Sequence, residues 1–210
     1  MKAILFFALC GLAVYSFASA NANKRLLNAV SAGSEDKMHA AIEAGADPNW
    51  FGGNRFDQKP LCLATRLGFE SMLKALIDAG ADPGIVYFPE TDVVSADPMS
   101  CAAHNRNLNA FRILHEYGAD LNKDFCQGCN TAAQHTVLWS ALGPERFDIA
   151  RYIINHIKPT EGQIRVILGV IEKRAVYEND KTLGDREWIA EWLRERGHEV
   201  TPREPWPARQ

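Results

Sequence analysis

The side chains of this sequence best suited to chemistry are four of its cysteines, Cys62, Cys101, Cys126 and Cys129. In an oxidising compartment an even number of cysteines predicts up to two disulfides, with three possible connectivities. Cys126 and Cys129 form a C-x-x-C pair, and we predict a disulfide that closes this pair across its loop. For Cys62 and Cys101 a bridge and two buried free thiols both remain open, because a bridge needs Cα atoms about 5–6 Å apart.

Two other chemistries are compatible with the C-x-x-C pair. A redox-active pair is activated at a helix N-terminus, whereas this one lies in a loop outside any strand–helix unit, so we favour the structural bridge. A zinc site would need two further ligands, and His104 and His135 are the only nearby nominees. The sequence therefore predicts no metal site and no cofactor.

Sequence motifs of common enzymes are absent. The chain has no G-x-S-x-G, no H-E-x-x-H and no phosphate-binding glycine loop. Several histidines fall in segments with helical spacing or at their ends, and we interpret them as solvated or hydrogen-bonded side chains rather than catalytic ones. These are His39, His115, His156 and His198. The sequence predicts a protein that is not an enzyme.

Composition and the first twenty residues restrict the class of protein. The 210 residues are 47% hydrophobic and carry 23 Lys and Arg against 26 Asp and Glu, which argues against a disordered chain and against a strongly basic nucleic-acid binder. Lys2, an apolar run from Ile4 to Phe17 and the small residues Ala18-Ser19-Ala20 predict a signal peptide in residues 1–20, cleaved after Ala20. The run is shorter than the roughly 20 residues that a membrane span needs. We expect a protein of the periplasm, or a secreted one, without stable membrane insertion.

A short motif recurs along the rest of the chain. The segment 44–48 reads Ala-Gly-Ala-Asp-Pro, segment 79–83 repeats it, and segment 117–121 reads Tyr-Gly-Ala-Asp-Leu. Two apolar stripes with helical spacing precede each copy. The spacing from Gly33 to Gly45 recurs from Gly68 to Gly80, so the pair of helices has a constant length while the connections vary.

These residues resemble the ankyrin repeat family. Segments 59–64 (Lys-Pro-Leu-Cys-Leu-Ala) and 97–102 (Asp-Pro-Met-Ser-Cys-Ala) are similar to its T-P-L-H-x-A opening, and Gly-Ala-Asp-x-Asn closes units at Asn49 and Asn122. The resemblance implies an all-α fold, an ankyrin-repeat solenoid of four to five helix-turn-helix units with elongated hairpin-like finger loops. The domain would cover residues 21–200, with units of about 24–58, 59–96, 97–134, 135–160 and 161–200, and residues 201–210 would form a tail.

The connections between units are longer than the family's. Leu26, Leu61, Met99 and Leu138 align at intervals of 35, 38 and 39 residues, against a consensus of about 33. The extra residues fall in the finger loops, which are rich in aromatic side chains of the kind found at binding hot spots. An alternative is that these aromatics fold down over their own loops. The predicted partner-binding residues are Trp50, Phe51, Arg55, Phe56, Tyr87, Phe88, Glu90, Asp92 and Phe125.

The resemblance by itself indicates almost nothing about a particular activity, because one fold hosts many functions. The small size, the signal peptide, the single interaction fold and the absence of an active-site motif favour a binding function. We predict an exported protein-protein interaction module, monomeric when free, that binds another protein through its concave face and finger loops and binds no nucleic acid. Its most concrete version is an immunity or inhibitor protein that neutralises a toxic effector. The alternatives are an accessory protein in oxidative-stress protection that uses Cys126 and Cys129, and a secreted effector that binds host proteins.

Overall fold

The computed structural model describes residues 19–51, 59–85, 97–123, 136–142, 146–173 and 183–201. Apart from an isolated bridge residue at Thr136, all regular secondary structure in these ranges is helical, which confirms the all-α class. The helices are α1 (residues 19–31), α2 (Glu35–Glu43), α3 (Pro60–Leu67), α4 (Glu70–Asp78), α5 (Pro98–His104), α6 (Leu108–Glu116), α7 (Val137–Leu142), α8 (Phe147–His156), α9 (Glu161–Lys173) and α10 (Leu183–Arg194).

The helix starts follow local sequence signals. Pro60 and Pro98 occupy the first positions of α3 and α5, where a backbone N–H would have no intrahelical partner to lose. The Asp97 side chain caps α5 by accepting a 2.9 Å hydrogen bond from the Ser100 N–H. The Asn107 side chain caps α6 in the same way, through the Ala110 N–H at 2.9 Å.

The helix ends depend on residues with positive φ. Gly45, Gly80 and Gly118 follow the second helix of each pair with φ of 91°, 100° and 97°, a left-handed conformation that glycine adopts at little cost. Gly68 ends α3 with φ 73°. Arg106 stands where Gly68 stands one pair earlier and has φ 56°, so this turn holds a non-glycine residue in a disfavoured conformation.

Contacts between helices follow a regular order. Each of α3, α5 and α7 contacts the helix two further along the chain, and so do α4, α6 and α8. Contacts within pairs join α3 to α4, α5 to α6, α7 to α8 and α9 to α10. Four residues that the repeat places at one equivalent position all lie in the core, each at most 2% exposed. They are Leu26, Leu61, Met99 and Leu138.

The last helices continue the same packing. α10 packs on α8, and α9 on α7. Arg151 of α8 reaches across to α10, where its guanidinium forms a 2.8 Å ion pair with Asp185 and lies 4.9 Å from the centre of the Trp188 ring. Because both groups are partly exposed, these contacts orient α10 on α8 and add modestly to stability.

Among the described helices, none combines the length and the apolar character that a membrane crossing requires.

Candidate functional site

The connections between helix pairs begin with the same local turn. The Asp47 carboxylate accepts a hydrogen bond from the Asn49 N–H at 2.8 Å, and Asp82 does the same for the Gly84 N–H at 2.8 Å. A third copy joins Asp120 to the Asn122 N–H, again at 2.8 Å. Aspartate favours such turns because its short side chain bonds its own backbone two residues on. The chain therefore leaves three successive second helices with one geometry.

Hydrogen bonds between units hold these turns beside one another. The Asn49 side chain donates from Nδ2 to the Gly80 carbonyl at 3.0 Å and accepts at Oδ1 from the Asp82 N–H at 2.7 Å. One turn further on, the Lys123 Nζ donates to the Gly84 carbonyl. The turns at 47–49, 82–84 and 120–123 thus form one continuous edge, which we call the connection edge.

Two of the predicted partner-binding residues are among the described residues, directly after the 47–49 turn of the connection edge. Trp50 is partly buried, and its N–H bonds the Asp47 carbonyl at 3.0 Å. Phe51 is 37% exposed, and its ring centre lies 4.9 Å from the Lys59 Nζ, within the range of a cation–π contact. The other predicted residues lie outside the described residues. They are Arg55, Phe56, Tyr87, Phe88, Glu90, Asp92 and Phe125.

Lys59 lies beneath Phe51 and was not nominated from the sequence. It directly precedes Pro60 of α3, and only 2% of the residue is exposed. Burial lowers the pKa of Lys59 to about 8, against the opposing attraction of Asp97. Its position in the T-P-L-H-x-A-like segment was visible in the sequence, but nothing there indicated that the ammonium would be buried.

Asp97 occupies the corresponding position before α5. It is 2% exposed, and burial raises the pKa of its carboxyl to about 6, although hydrogen bonds from Ser100 and the charge of Lys123 act to lower it. Its second carboxylate oxygen, Oδ2, has no hydrogen-bond partner in the described part of the chain. Lys59 and Asp97 are therefore two buried groups that attract one another, at equivalent positions before α3 and α5.

A disulfide joins the two helices that follow these groups. Cys62 of α3 and Cys101 of α5 are bonded, with Cα atoms 5.5 Å apart and both residues buried. The structure therefore shows the disulfide, not the two buried free thiols that the sequence also allowed. The predicted bridge between Cys126 and Cys129 lies outside the described residues, as does His135.

A cluster of rings on α6 and α8 escaped the sequence analysis. His115 Nδ1 lies 2.8 Å from the Tyr152 hydroxyl, and His156 Nδ1 lies 2.6 Å from the Tyr152 backbone carbonyl. These bonds agree with the interpretation of both residues as hydrogen-bonded histidines. The one available signal was the four-residue spacing of Tyr152 and His156, which places both on one face of a helix.

Burial and neighbouring charges act on this ring cluster. Burial lowers the pKa of His115, as does the nearby His156, while Glu116 opposes them. Burial also raises the pKa of Tyr152, assisted by Glu116 and opposed by Arg112, whose guanidinium lies 5.6 Å from the ring centre. Both shifts favour the neutral forms of these rings.

No group of three or more histidine, cysteine, aspartate or glutamate side chains within the described ranges could hold a metal ion. In comparisons with known proteins, no family model matches the chain and no curated protein matches it significantly. The functional interpretation therefore depends on the geometry of the connection edge and of the ring cluster.

Proposed function

We propose that the chain is an ankyrin-type solenoid that acts without catalysis by binding another protein along the connection edge. The contact order of the helices supports the solenoid, because α3, α5, α7 and α9 touch in sequence and so do α4, α6, α8 and α10. Repeat folds of this kind stack units that contact only their neighbours and present extended surfaces to partners. The recurring Asp turns support the same assignment.

The main support for the proposal is the alignment of the three turns of the connection edge. Because Asn49 ties its own turn to Gly80 and Asp82, and Lys123 ties the next turn to Gly84, the connections leave the helices from one edge. Side chains on this edge can therefore meet the same partner at once. Phe51, directly after the 47–49 turn, is an exposed aromatic whose ring contacts the Lys59 Nζ.

Aromatic anchors of this kind dominate the energetics of protein interfaces, because a rigid ring buries a large area at a low cost in conformational entropy. We assign Phe51 and Trp50 as anchors on that ground.

Export is part of the proposal, through the signal peptide in residues 1–20. Two residues shortly after the predicted cleavage site are compatible with it. Ala22 and Asn23 are buried, and Asn23 Oδ1 accepts a 2.8 Å hydrogen bond from the Asp47 N–H. Cleavage after Ala20 would leave these contacts in the mature protein. Within the periplasm we assign the module the role of an immunity or inhibitor protein, because blocking an effector requires a complementary surface and no active site.

A binding measurement with a purified partner tests the proposal. The first candidate is the product of the neighbouring gene, titrated with the mature chain by calorimetry. Replacement of Trp50 and Phe51 by alanine should weaken binding by about thirtyfold or more, the effect of losing a hot spot worth about 2 kcal/mol. Leu67→Ala is the matched control, since Leu67 is 36% exposed and lies at the opposite end of α3 from Lys59.

The results test two parts of the proposal, the binding surface and the inhibitory role. Equal loss of affinity in the control, or no loss in the Trp50 and Phe51 variant, would remove the connection edge as the binding surface. For the inhibitory role, co-expression of the mature chain with the effector in the periplasm should restore growth, and the double variant should not. If the double variant restores growth as well as the wild type does, the assignment of Trp50 and Phe51 as anchors is contradicted.

A further inference from the structure

The ring cluster on α6 and α8 contains none of the residues that we assign to the binding function. Its members are His115 on α6 and Tyr152 and His156 on α8, with ring centres 4.1 to 5.7 Å apart. His156 is exposed, and the other two are partly exposed, so an ion from solvent can reach the cluster. We propose that His115 and His156 together bind a divalent transition-metal ion, with zinc as the representative, through their Nε2 atoms.

The hydrogen bonds leave the Nε2 atoms available. A carbonyl oxygen only accepts, so His156 Nδ1 must carry the proton in its 2.6 Å contact with the Tyr152 carbonyl. In the neutral ring, Nε2 then holds an unprotonated lone pair. His115 Nδ1 faces the Tyr152 hydroxyl, which can accept from it, and this arrangement frees the His115 Nε2 as well.

This pattern is the one that metal-ligating histidines show in proteins. Such a histidine almost always donates its other ring N–H to an oxygen, which fixes both the tautomer and the ring orientation. Here one residue, Tyr152, supplies both oxygens. It therefore acts as a positioning residue for the two ligands.

The separation of the rings fits one shared ion. Two imidazoles on a tetrahedral ion with Zn–N distances of about 2.0–2.1 Å have ring centres roughly 5 Å apart. The centres of His115 and His156 are 5.2 Å apart in an edge-to-face contact with the ring planes at 81°, a separation that matches this value. Water would complete the coordination, since two protein ligands leave positions open. Glu116 is close enough to act on both His115 and Tyr152, and its negative charge favours a cation there, against the opposing charge of Arg112.

Imidazole selects the class of ion. Nitrogen ligands of this kind suit zinc, copper and nickel, whereas magnesium and calcium prefer oxygen. Because the two histidines come from different helix pairs, an ion bound to both would clamp α6 to α8 and raise the stability of the folded chain.

Calorimetric titration of the tag-free mature chain with zinc chloride at about pH 7.5 tests the inference. We expect one ion per chain, and magnesium chloride should give no binding. His115→Gln and His156→Gln should each weaken zinc binding by at least about tenfold. His39→Gln is the matched control, because His39 is also exposed on the second helix of a pair, α2, and should leave zinc binding unchanged.

Two further variants keep the result specific. Replacement of Cys126 and Cys129 by serine should leave zinc binding intact, which excludes a cysteine site as its source. A zinc-dependent rise in the thermal midpoint of the wild type should vanish in His156→Gln, whose side chain is exposed and leaves the core untouched. Absence of zinc binding, or binding that survives both histidine substitutions, would overturn the inference. Phe51→Ala should bind zinc normally. A wild type that does not bind zinc would therefore overturn this inference alone, and the binding proposal for the connection edge would depend on its own test.

Discussion

Asn49 and Asp82, 33 residues apart, are joined by a 2.7 Å hydrogen bond from the Asp82 N–H to the Asn49 Oδ1. The same side chain donates from Nδ2 to the Gly80 carbonyl at 3.0 Å. Asn49 therefore satisfies two backbone groups of the following turn. It is the last residue of a motif that recurs in sequence, but its bonds run between units rather than within one.

Asn49→Ala should lower the free energy of unfolding by about 1–2 kcal/mol, because two backbone groups lose their partner while water remains able to reach them. Asn122→Ala is the control, since its side chain forms no hydrogen bond among the described residues, although it occupies the same motif position. Urea unfolding of both variants measures the difference. Equal losses would show that the bonds between units add nothing.

The disulfide gives the second prediction. Replacing Cys62 and Cys101 by alanine removes a cross-link over 39 residues, and the chain-entropy estimate for such a loop is a loss of about 4 kcal/mol. The wild type in reductant should unfold at nearly the same urea concentration as this variant in its absence. If variant and wild type unfold together without reductant, no bridge joins α3 to α5. A further loss when the variant itself is reduced would report the predicted Cys126–Cys129 bridge.

Sequence periodicity predicted much of the fold because it reflects local chemistry. Apolar residues at helical spacing predicted the paired helices, and the aligned positions Leu26, Leu61 and Met99 all lie in the core. Gly45 and Gly80, which mark the repeat spacing in the sequence, have positive φ. These features depend only on residues close in sequence, so the sequence reveals them directly.

Contacts between units could not be predicted in the same way. The pairing of Cys62 with Cys101 depends on the distance between two neighbouring helices, and these residues lie one position out of phase in the repeat. The contacts of His115 with Tyr152 and the burial of Lys59 likewise depend on how one unit rests on the next. Repeat matching gives the order of units but not their side-chain contacts.

The turn at Arg106 gives the third prediction. Arg106→Gly should raise the free energy of unfolding by up to about 1 kcal/mol, because relief of the left-handed conformation at φ 56° outweighs the greater freedom of glycine in the unfolded chain. Gly68→Ala should have the opposite effect, a loss of about 1 kcal/mol. An added Cβ there meets nothing within 4 Å, so the cost is that of the backbone alone.

Gly169→Ala is the control for this pair. Thermal unfolding of the wild type and of all three variants measures the effects. Gly169 lies inside α9, where an added Cβ also meets nothing within 4 Å. Alanine should therefore stabilise the helix by about 0.5–1 kcal/mol. A loss at Gly169 comparable to that at Gly68 would show that lost space rather than backbone conformation sets the cost.

The fourth prediction concerns Asp97 and pH. Its pKa is about 6 in the folded chain and 3.8 as a free side chain, so between these values the folded state holds a proton that the unfolded state has released. Stability linked to this group is therefore greatest below pH 4 and declines as pH rises to 6. Ionisation of the buried carboxyl costs on the order of 3 kcal/mol over that range, at 1.36 kcal/mol per unit.

Asp97→Asn removes this dependence while keeping an oxygen that can accept from the Ser100 N–H. The variant should gain stability relative to the wild type as pH rises from about 4 to 6.5, and the difference should level off above that range. Lys123→Met should shift the transition to higher pH, because the charge of Lys123 lowers the pKa of Asp97. Urea unfolding of the three chains at half-unit pH steps measures both effects. A constant difference between Asp97→Asn and the wild type would mean that Asp97 titrates alike in the folded and unfolded states, so that its burial does not disfavour the charge.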